Sequence, residues 1–305
     1  MNFIATLFRV INTSEAAIST DDLRWFSLQR KVKEDTIKRV FDLFRSNGIE
    51  PVLIKGWAAA RNYREDIPRD YIDTDIAVAA SDYDQARQIC DSNASEGLAI
   101  DLHRELRHLD SLPWNDLFAN SDIVKIDDSD IRVLRPEDHL RVLCIHWLND
   151  GGANKIRLWD IYYAVANRPP DFGWTRCLET ISEYRRRWII TAIAITHEYL
   201  GLKVDDLPFH EEAATVPVWI RKCLEREWNS TVRLEPVIMH LRSPSSLAQQ
   251  IVKRIPPNPL RATIEMEGRI DARTRIFYQI GCFARLLANP LRSRARRKQF
   301  DENRK

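Results

Sequence analysis

The segment YIDTDIAVAA at residues 71–80 constrains the fold more than any other part of the sequence. Apolar and β-branched residues alternate along it, which is typical of a β-strand. Asp73 and Asp75 are two residues apart, so a strand projects both carboxylates from one face, about 7 Å apart. Burying such a pair is costly unless a cation lies between the carboxylates, and oxygen ligands suit Mg²⁺. The segment therefore predicts either a metal-binding strand or an exposed strand end whose acids serve solubility.

A second strand with a carboxylate follows in LAIDLHREL, where Asp101 and His103 share one face. Three carboxylates on neighbouring strands are able to bind two Mg²⁺ ions about 3.5–4 Å apart, the arrangement used for in-line nucleotidyl transfer. On this hypothesis Asp101 lies beside the attacking hydroxyl. His103 is either part of the site or a packed histidine beside the sheet.

Upstream, EPVLIKG predicts a short buried strand that turns at Gly56 into an alanine-rich helix, GWAAARNY. Backbone N–H groups at the start of a helix are able to hold a phosphate, and Lys55 adds a positive charge beside them. A strand, a glycine and a helix are also a common structural connection, so this motif is informative only together with the aspartates.

The remaining pattern divides the chain into an α/β part and a helical part. A helix capped by Ser19 or Thr20 is predicted to end at Gly48, and VKIDDSDIRVL indicates two short strands about a polar turn. From Pro136 onward helical periodicity dominates, although residues 243–272 show only a weak pattern. We therefore predict an α+β fold in which a mixed sheet with helices precedes a mainly helical domain. The expected ranges are a catalytic domain at 1–135, a helical domain at 136–290 and a disordered basic tail at 291–305.

The order of these motifs resembles the DNA polymerase beta-like nucleotidyltransferase superfamily. The shared features are Lys-Gly before a helix, then Tyr63 and Arg69, then the D-x-D strand, then D-x-H. The chain is most similar to an uncharacterised bacterial nucleotidyltransferase group with L-K-G, D-x-D and D-L-H motifs. The resemblance covers roughly residues 45–165, including L-R-P-E-D-H-L and a later W-D-I.

The resemblance implies a polymerase beta-like palm and assigns roles to individual residues. Asp73 and Asp75 would ligate both metals, and Asp101 would ligate the catalytic metal and activate the acceptor. Gly56 and its neighbours would contact the triphosphate. The superfamily usually has Gly-Gly or Gly-Ser at this turn. Here Trp57 follows Gly56 in place of the serine that contacts phosphate, and Lys55 is a candidate replacement for that contact. Arg69 is either a phosphate ligand or a surface arginine.

Composition limits the partners and the compartment. The net charge of +2 comes from the last fifteen residues, which hold seven basic and two acidic side chains, so the body of the chain is slightly acidic. A nucleic-acid polymerase or terminal transferase needs a basic channel, so sequence-specific nucleic-acid binding is not expected. The five cysteines lack metal-site or disulfide spacing and are expected to be buried thiols. Because no apolar run is long enough to span a membrane and the start does not resemble a signal peptide, we expect a cytoplasmic protein.

The expected function is transfer of a nucleoside monophosphate from an NTP, with ATP and AMP as the expected pair, by a two-metal mechanism with Mg²⁺ or Mn²⁺. The acceptor is expected to be a hydroxyl or phosphate on a small molecule, sugar or peptide. The alternative is a non-catalytic, nucleotide-binding regulatory or antitoxin-like module with the same fold. An inactive module has no chemical need for three mutually repelling acids, so the intact set favours the enzyme.

Overall fold

The computed structural model describes residues 20–285 except 65, 66, 68, 107, 108, 236 and 242. The described residues form two compact units, one within 20–106 and 114–135, the other within 109–113 and 136–285. The predicted tail at 291–305 and the capping residue Ser19 lie outside the described residues.

The first unit is built on a mixed five-stranded sheet of order β3-β2-β1-β5-β4. Strand β2 is antiparallel to β1 and parallel to β3, whereas β5 is parallel to β1 and antiparallel to β4. The last two strands form the hairpin that the sequence predicted. The strands are β1 (Val52–Leu53), β2 (Thr74–Val78), β3 (Ile100–Arg104), β4 (Asp122–Ile126) and β5 (Ser129–Val133).

Four helices accompany this sheet in chain order: α1 (Thr20–Ser46), α2 (Trp57–Ala60), α3 (Tyr83–Cys90) and α4 (Trp114–Ala119). A 3-10 turn at Asn93–Ser95 follows α3. The long helix α1 packs its apolar stripe, predicted from its spacing, against the sheet. This stripe is fully buried and consists of Ile37, Val40, Phe41 and Phe44.

The core of the first unit fixes which face of the sheet carries polar groups. Ile76 and Val78 of β2 belong to the cluster that contains the buried stripe of α1. Since side chains alternate along a strand, Asp75 points to the opposite face. The packing of α1 therefore decides the orientation of the acidic strand.

The second unit is helical, so together the units give the α+β fold that the sequence predicted. A 3-10 turn at Lys155–Arg157 precedes its second helix, a further 3-10 turn spans Val237–His240, and a helical segment occupies 276–285. The helices are α5 (Pro136–Asn149), α6 (Leu158–Ala166), α7 (Trp174–Leu178), α8 (Glu183–Leu200), α9 (His210–Ala213), α10 (Val218–Trp228), α11 (Pro244–Arg254) and α12 (Pro259–Glu265).

A buried charge network explains why residues 109–113 belong to the helical unit. Arg141 on α5 donates to Asp110 at 2.8 Å and to Asp138 at 2.6 Å, and Arg176 also donates to Asp138. Burial alone would lower the pKa of Arg141, but the charges of Asp110 and Asp138 outweigh it and raise that pKa. Because an unpaired buried charge is costly, Asp110 holds its segment on α5.

The helix predicted after Gly56 is present but shorter than its pattern indicated. The helix after Gly56 is only four residues long, because Asn62 and Tyr63 donate their N–H groups three residues back and tighten the turn. At the start of α3 the Ser81 hydroxyl donates to the Asp82 carboxylate, and no side chain caps the helix. Ser182, between α7 and α8, has an extended backbone and separates the two helices.

The cysteine prediction is partly confirmed. All five thiols are free, but Cys90 and Cys223 are only partly buried. In the part of the chain that the structure describes, no helix is both long enough and apolar enough to cross a bilayer.

We predict that Phe41→Ala lowers the free energy of unfolding by about 3–5 kcal/mol, because it leaves a cavity between α1 and the sheet. Chemical denaturation measures this change. Arg39→Ala, an exposed substitution on the same helix, is expected to change stability by less than about 0.5 kcal/mol. Equal effects of the two variants would contradict the assigned packing of α1.

Candidate active site

Strand register brings the second and third predicted aspartates together. In the parallel pair of β2 and β3, Asp75 lies directly opposite Asp101, and Ala77 lies opposite His103. Opposed residues on paired strands project from the same face of the sheet. The two carboxylates and the imidazole therefore share the face that α1 leaves free.

The side chains of these three residues lie close together. His103 Nε2 lies 3.1 Å from Asp101 Oδ2 and 3.9 Å from Asp75 Oδ1. One ligand atom from each of the three residues lies within 4.8 Å of the others. Asp75 is buried, whereas about half of the Asp101 side chain is exposed, so the cluster opens toward Asp101.

Lys55 lies at the buried end of the cluster. It follows β1. The N–H of the preceding Ile54 donates to the carbonyl of Asp75, which holds this segment beside β2. Lys55 Nζ lies 2.7 Å from Asp75 Oδ1 and 3.9 Å from Asp101 Oδ2. The side chains of Lys55 and Asp75 are each only 8% exposed, so their ion pair is sheltered from water.

The neighbours of Asp75 keep it ionised despite its burial. Burial on its own would raise the pKa of this carboxyl, but hydrogen bonding to His103 and the positive charge of Lys55 lower the pKa to about 2. Asp75 is therefore an anion at neutral pH, the state that a metal ligand or an ion pair requires.

Gly56 brings the turn after β1 against the acidic strand. Its backbone has φ +59° and ψ −111°, a conformation that side chains exclude for other residues. A Cβ at this position would lie 3.5 Å from Asp75 Oδ2 and 3.4 Å from the carbonyl oxygen of Asp73. The glycine thus lets the turn lie directly beside the carboxylate of Asp75.

Three other predicted residues are not part of the carboxylate and imidazole cluster. Asp73 is exposed in the bend before β2, and its backbone, not its carboxylate, faces Gly56. Trp57 is buried, and its indole N–H donates to Glu34 at 3.0 Å. Arg69 is partly exposed and donates to the carbonyl of Asp70 at 2.8 Å.

The donor set fits a divalent cation. Carboxylate oxygens from Asp75 and Asp101 are hard ligands, and the imidazole of His103 is a borderline ligand accepted by Mn²⁺ more readily than by Mg²⁺. Lys55 neutralises Asp75 from the inner side, while the exposed side of Asp101 leaves an approach from solvent. These residues are able to hold one cation, and Asp73 is exposed two residues before Asp75.

The family model for uncharacterised nucleotidyltransferases matches residues 20–201, more than half of the chain. The chain belongs to this family. The match confirms the resemblance drawn from the sequence and supports nucleotidyl transfer as the general activity, with an NTP as substrate. No curated protein and no solved structure matches the chain.

Two residues of this nucleotidyltransferase were missed by sequence reasoning. Glu34 accepts the indole N–H of Trp57, but it lies on a charged helix where nothing in the pattern distinguishes it. Tyr71 is buried beside Gly56, and its position at the start of the acidic strand was the available signal.

We predict that Gly56→Ala lowers the free energy of unfolding by about 2–3 kcal/mol, because alanine is strained at its φ and ψ. The matched control is Gly48→Ala. Gly48 has φ +77° and no atom within 4 Å of the point that a Cβ would occupy, so the loss there is expected to be about 1 kcal/mol. Denaturant titration of both variants measures the difference, and a tolerated Gly56→Ala would contradict the close turn.

Proposed function

We propose that this chain transfers a nucleoside monophosphate from an NTP, with ATP as the expected donor, to an acceptor hydroxyl or phosphate. The acceptor belongs to a small molecule, a sugar or a peptide. The observation that carries the proposal is the cluster of Asp75, Asp101 and His103 beside Lys55. Two carboxylates, an imidazole and an ammonium on one sheet face match the needs of phosphoryl chemistry, which depends on positioning and charge neutralisation.

In this proposal the acceptor oxygen forms a bond to the α-phosphorus of the NTP. The bond between that phosphorus and the oxygen bridging the α- and β-phosphates breaks, and pyrophosphate leaves. Asp101, the more exposed carboxylate, accepts the proton of the attacking hydroxyl. His103, 3.1 Å from Asp101, orients that carboxylate. Both residues belong to β3, so the acceptor is proposed to lie on the β3 side of the cluster.

Lys55 and Gly56 are proposed to lie on the donor side. Lys55 brings a positive charge to the turn, and the absence of a side chain at Gly56 permits close approach of a phosphate. Trp57 supports the turn through Glu34 and contributes its backbone, since its indole is buried. Arg69 supplies further positive charge on this side.

Asp73, Asp75 and Asp101 are the proposed metal ligands. Bound Mg²⁺ or Mn²⁺ would supply neutralisation of the phosphates and activation of the attacking oxygen, with two ions in the proposed mechanism. Asp75 is already anionic through Lys55 and His103, so it needs no deprotonation before it acts as a ligand.

We predict that ATP binds the full chain at least tenfold more tightly with Mg²⁺ than with EDTA, because the carboxylates otherwise repel the triphosphate. Calorimetry measures both affinities. Asp75→Asn is expected to remove most of the Mg²⁺ dependence, while Asp84→Asn, an exposed acid on α3, is expected to retain it. Equal affinity in Mg²⁺ and EDTA would contradict the metal site.

We also predict that the chain releases pyrophosphate when NTP, Mg²⁺ or Mn²⁺ and a pool of hydroxylated metabolites are combined. Mass spectrometry of the products identifies the acceptor by its added nucleoside monophosphate. Asp101→Ala is expected to lower turnover about a hundredfold or more while part of the ATP binding remains, because Asp101 acts on the acceptor. Nucleotide binding without release of pyrophosphate from any pool would instead favour the non-catalytic module.

A further inference from the structure

A cavity of about 780 Å³ lies in the first unit, between the first half of α1, the short helix α2 and the segment that leads to Tyr71. Its volume is in the range of small-molecule sites. Tyr71, which lines the cavity, and the carboxylate of Asp75 each lie 3.5 Å from the point that a Cβ of Gly56 would occupy. The cavity therefore adjoins the proposed donor side of the active site.

The lining of this cavity carries an excess of positive charge. Its carboxylates, Glu34 and Asp70, are already paired with cations of the same lining: Arg30 lies 3.0 Å from Glu34, and Lys33 pairs with Asp70. A further four cations line the cavity, of which Lys31 also pairs with Asp127 and Arg24 with Asp21, both outside the lining. The lining itself therefore holds six cations and two acids, and this balance favours an anion. The lining cations are Arg24, Arg30, Lys31, Lys33, Arg64 and Arg69.

Tyr71 contributes a buried polar group without a partner. Its side chain is only 7% exposed, and its hydroxyl has no hydrogen-bond partner among the described residues. Burial raises the pKa of Tyr71, so the phenol stays neutral and is a donor. Lys33 Nζ lies 4.6 Å from the centre of its ring, so a cation and this phenol lie side by side in the lining.

The walls of the cavity are joined to one another. Glu34 on α1 accepts hydrogen bonds from both Arg30 and Trp57, so it links α1 to α2. Lys33 links α1 to the segment at Asp70. Cations from α1 and from the segment before Tyr71 line the cavity together with the unpaired Tyr71 hydroxyl. Such a set of donors suits a ligand with several acceptor oxygens, such as phosphate.

We propose that this cavity binds a phosphate group, through the cations of α1 and of the segment before β2 and through the Tyr71 hydroxyl, without a metal ion. The reading of the cavity as a substrate site rests on the proposed function. Two sources share this chemistry: the pyrophosphate end of the NTP, which becomes the leaving group, and a phosphate carried by the acceptor.

The test is calorimetric titration of pyrophosphate, and separately of glucose 6-phosphate, into the full chain in EDTA. Glucose is the uncharged control. Lys33→Gln is expected to weaken phosphate binding about tenfold and Tyr71→Phe about fivefold, because each removes one donor to an anion. Lys33→Arg keeps the charge and is expected to retain binding. Arg39→Gln is the matched control, since Arg39 is exposed on α1 and does not line the cavity.

Preference for pyrophosphate assigns the cavity to the NTP, and preference for glucose 6-phosphate assigns it to the acceptor. Absence of binding in EDTA overturns the inference, and so does equal binding by Lys33→Gln, Tyr71→Phe and Arg39→Gln. The assay of pyrophosphate release is independent of these titrations. A chain that binds phosphate in this cavity but never releases pyrophosphate keeps the anion site and loses the proposed function.

Discussion

The ion pair between Lys55 and Asp75 is the interaction around which the site is organised. Both side chains are nearly inaccessible to water, and removal of one partner from such a pair typically costs about 3–5 kcal/mol. The pair places positive charge against an acid whose pKa burial alone would raise. Because Lys55 stands at the turn after β1 and Asp75 lies within β2, their contact also fixes the position of that turn against the acidic strand.

The rest of the sheet unit makes this arrangement possible. Packing of α1 against Ile76 and Val78 forces Asp75 to the free face, and the parallel register of β2 and β3 places Asp101 beside it. Gly56 then allows the turn to approach. The site thus combines a buried side at Lys55 and Asp75 with a more exposed side at Asp101, which suits the proposed reaction between a bound nucleotide and an acceptor that enters from solvent.

Much of this follows from the sequence because the signals are local. Alternation around Asp75 and Asp101 predicts the strands and their shared faces, and the apolar spacing of α1 predicts its buried stripe. Their pairing partners and register depend on distant contacts, so the sequence leaves open which carboxylates meet. Asp73 shows the limit: spacing places it on the face of Asp75, but the strand begins one residue later and Asp73 lies in an exposed bend. The two helices between residues 244 and 265 were likewise not predicted, because the apolar periodicity there is weak.

The most direct test of the central claim is anomalous diffraction from crystals grown with Mn²⁺ and a non-hydrolysable ATP analogue. The account predicts an anomalous peak about 2.1 Å from carboxylate oxygens of Asp75 and Asp101, with the triphosphate on the side of Lys55 and Gly56. An analogue bound elsewhere on the chain, with no peak at these two carboxylates, would contradict it.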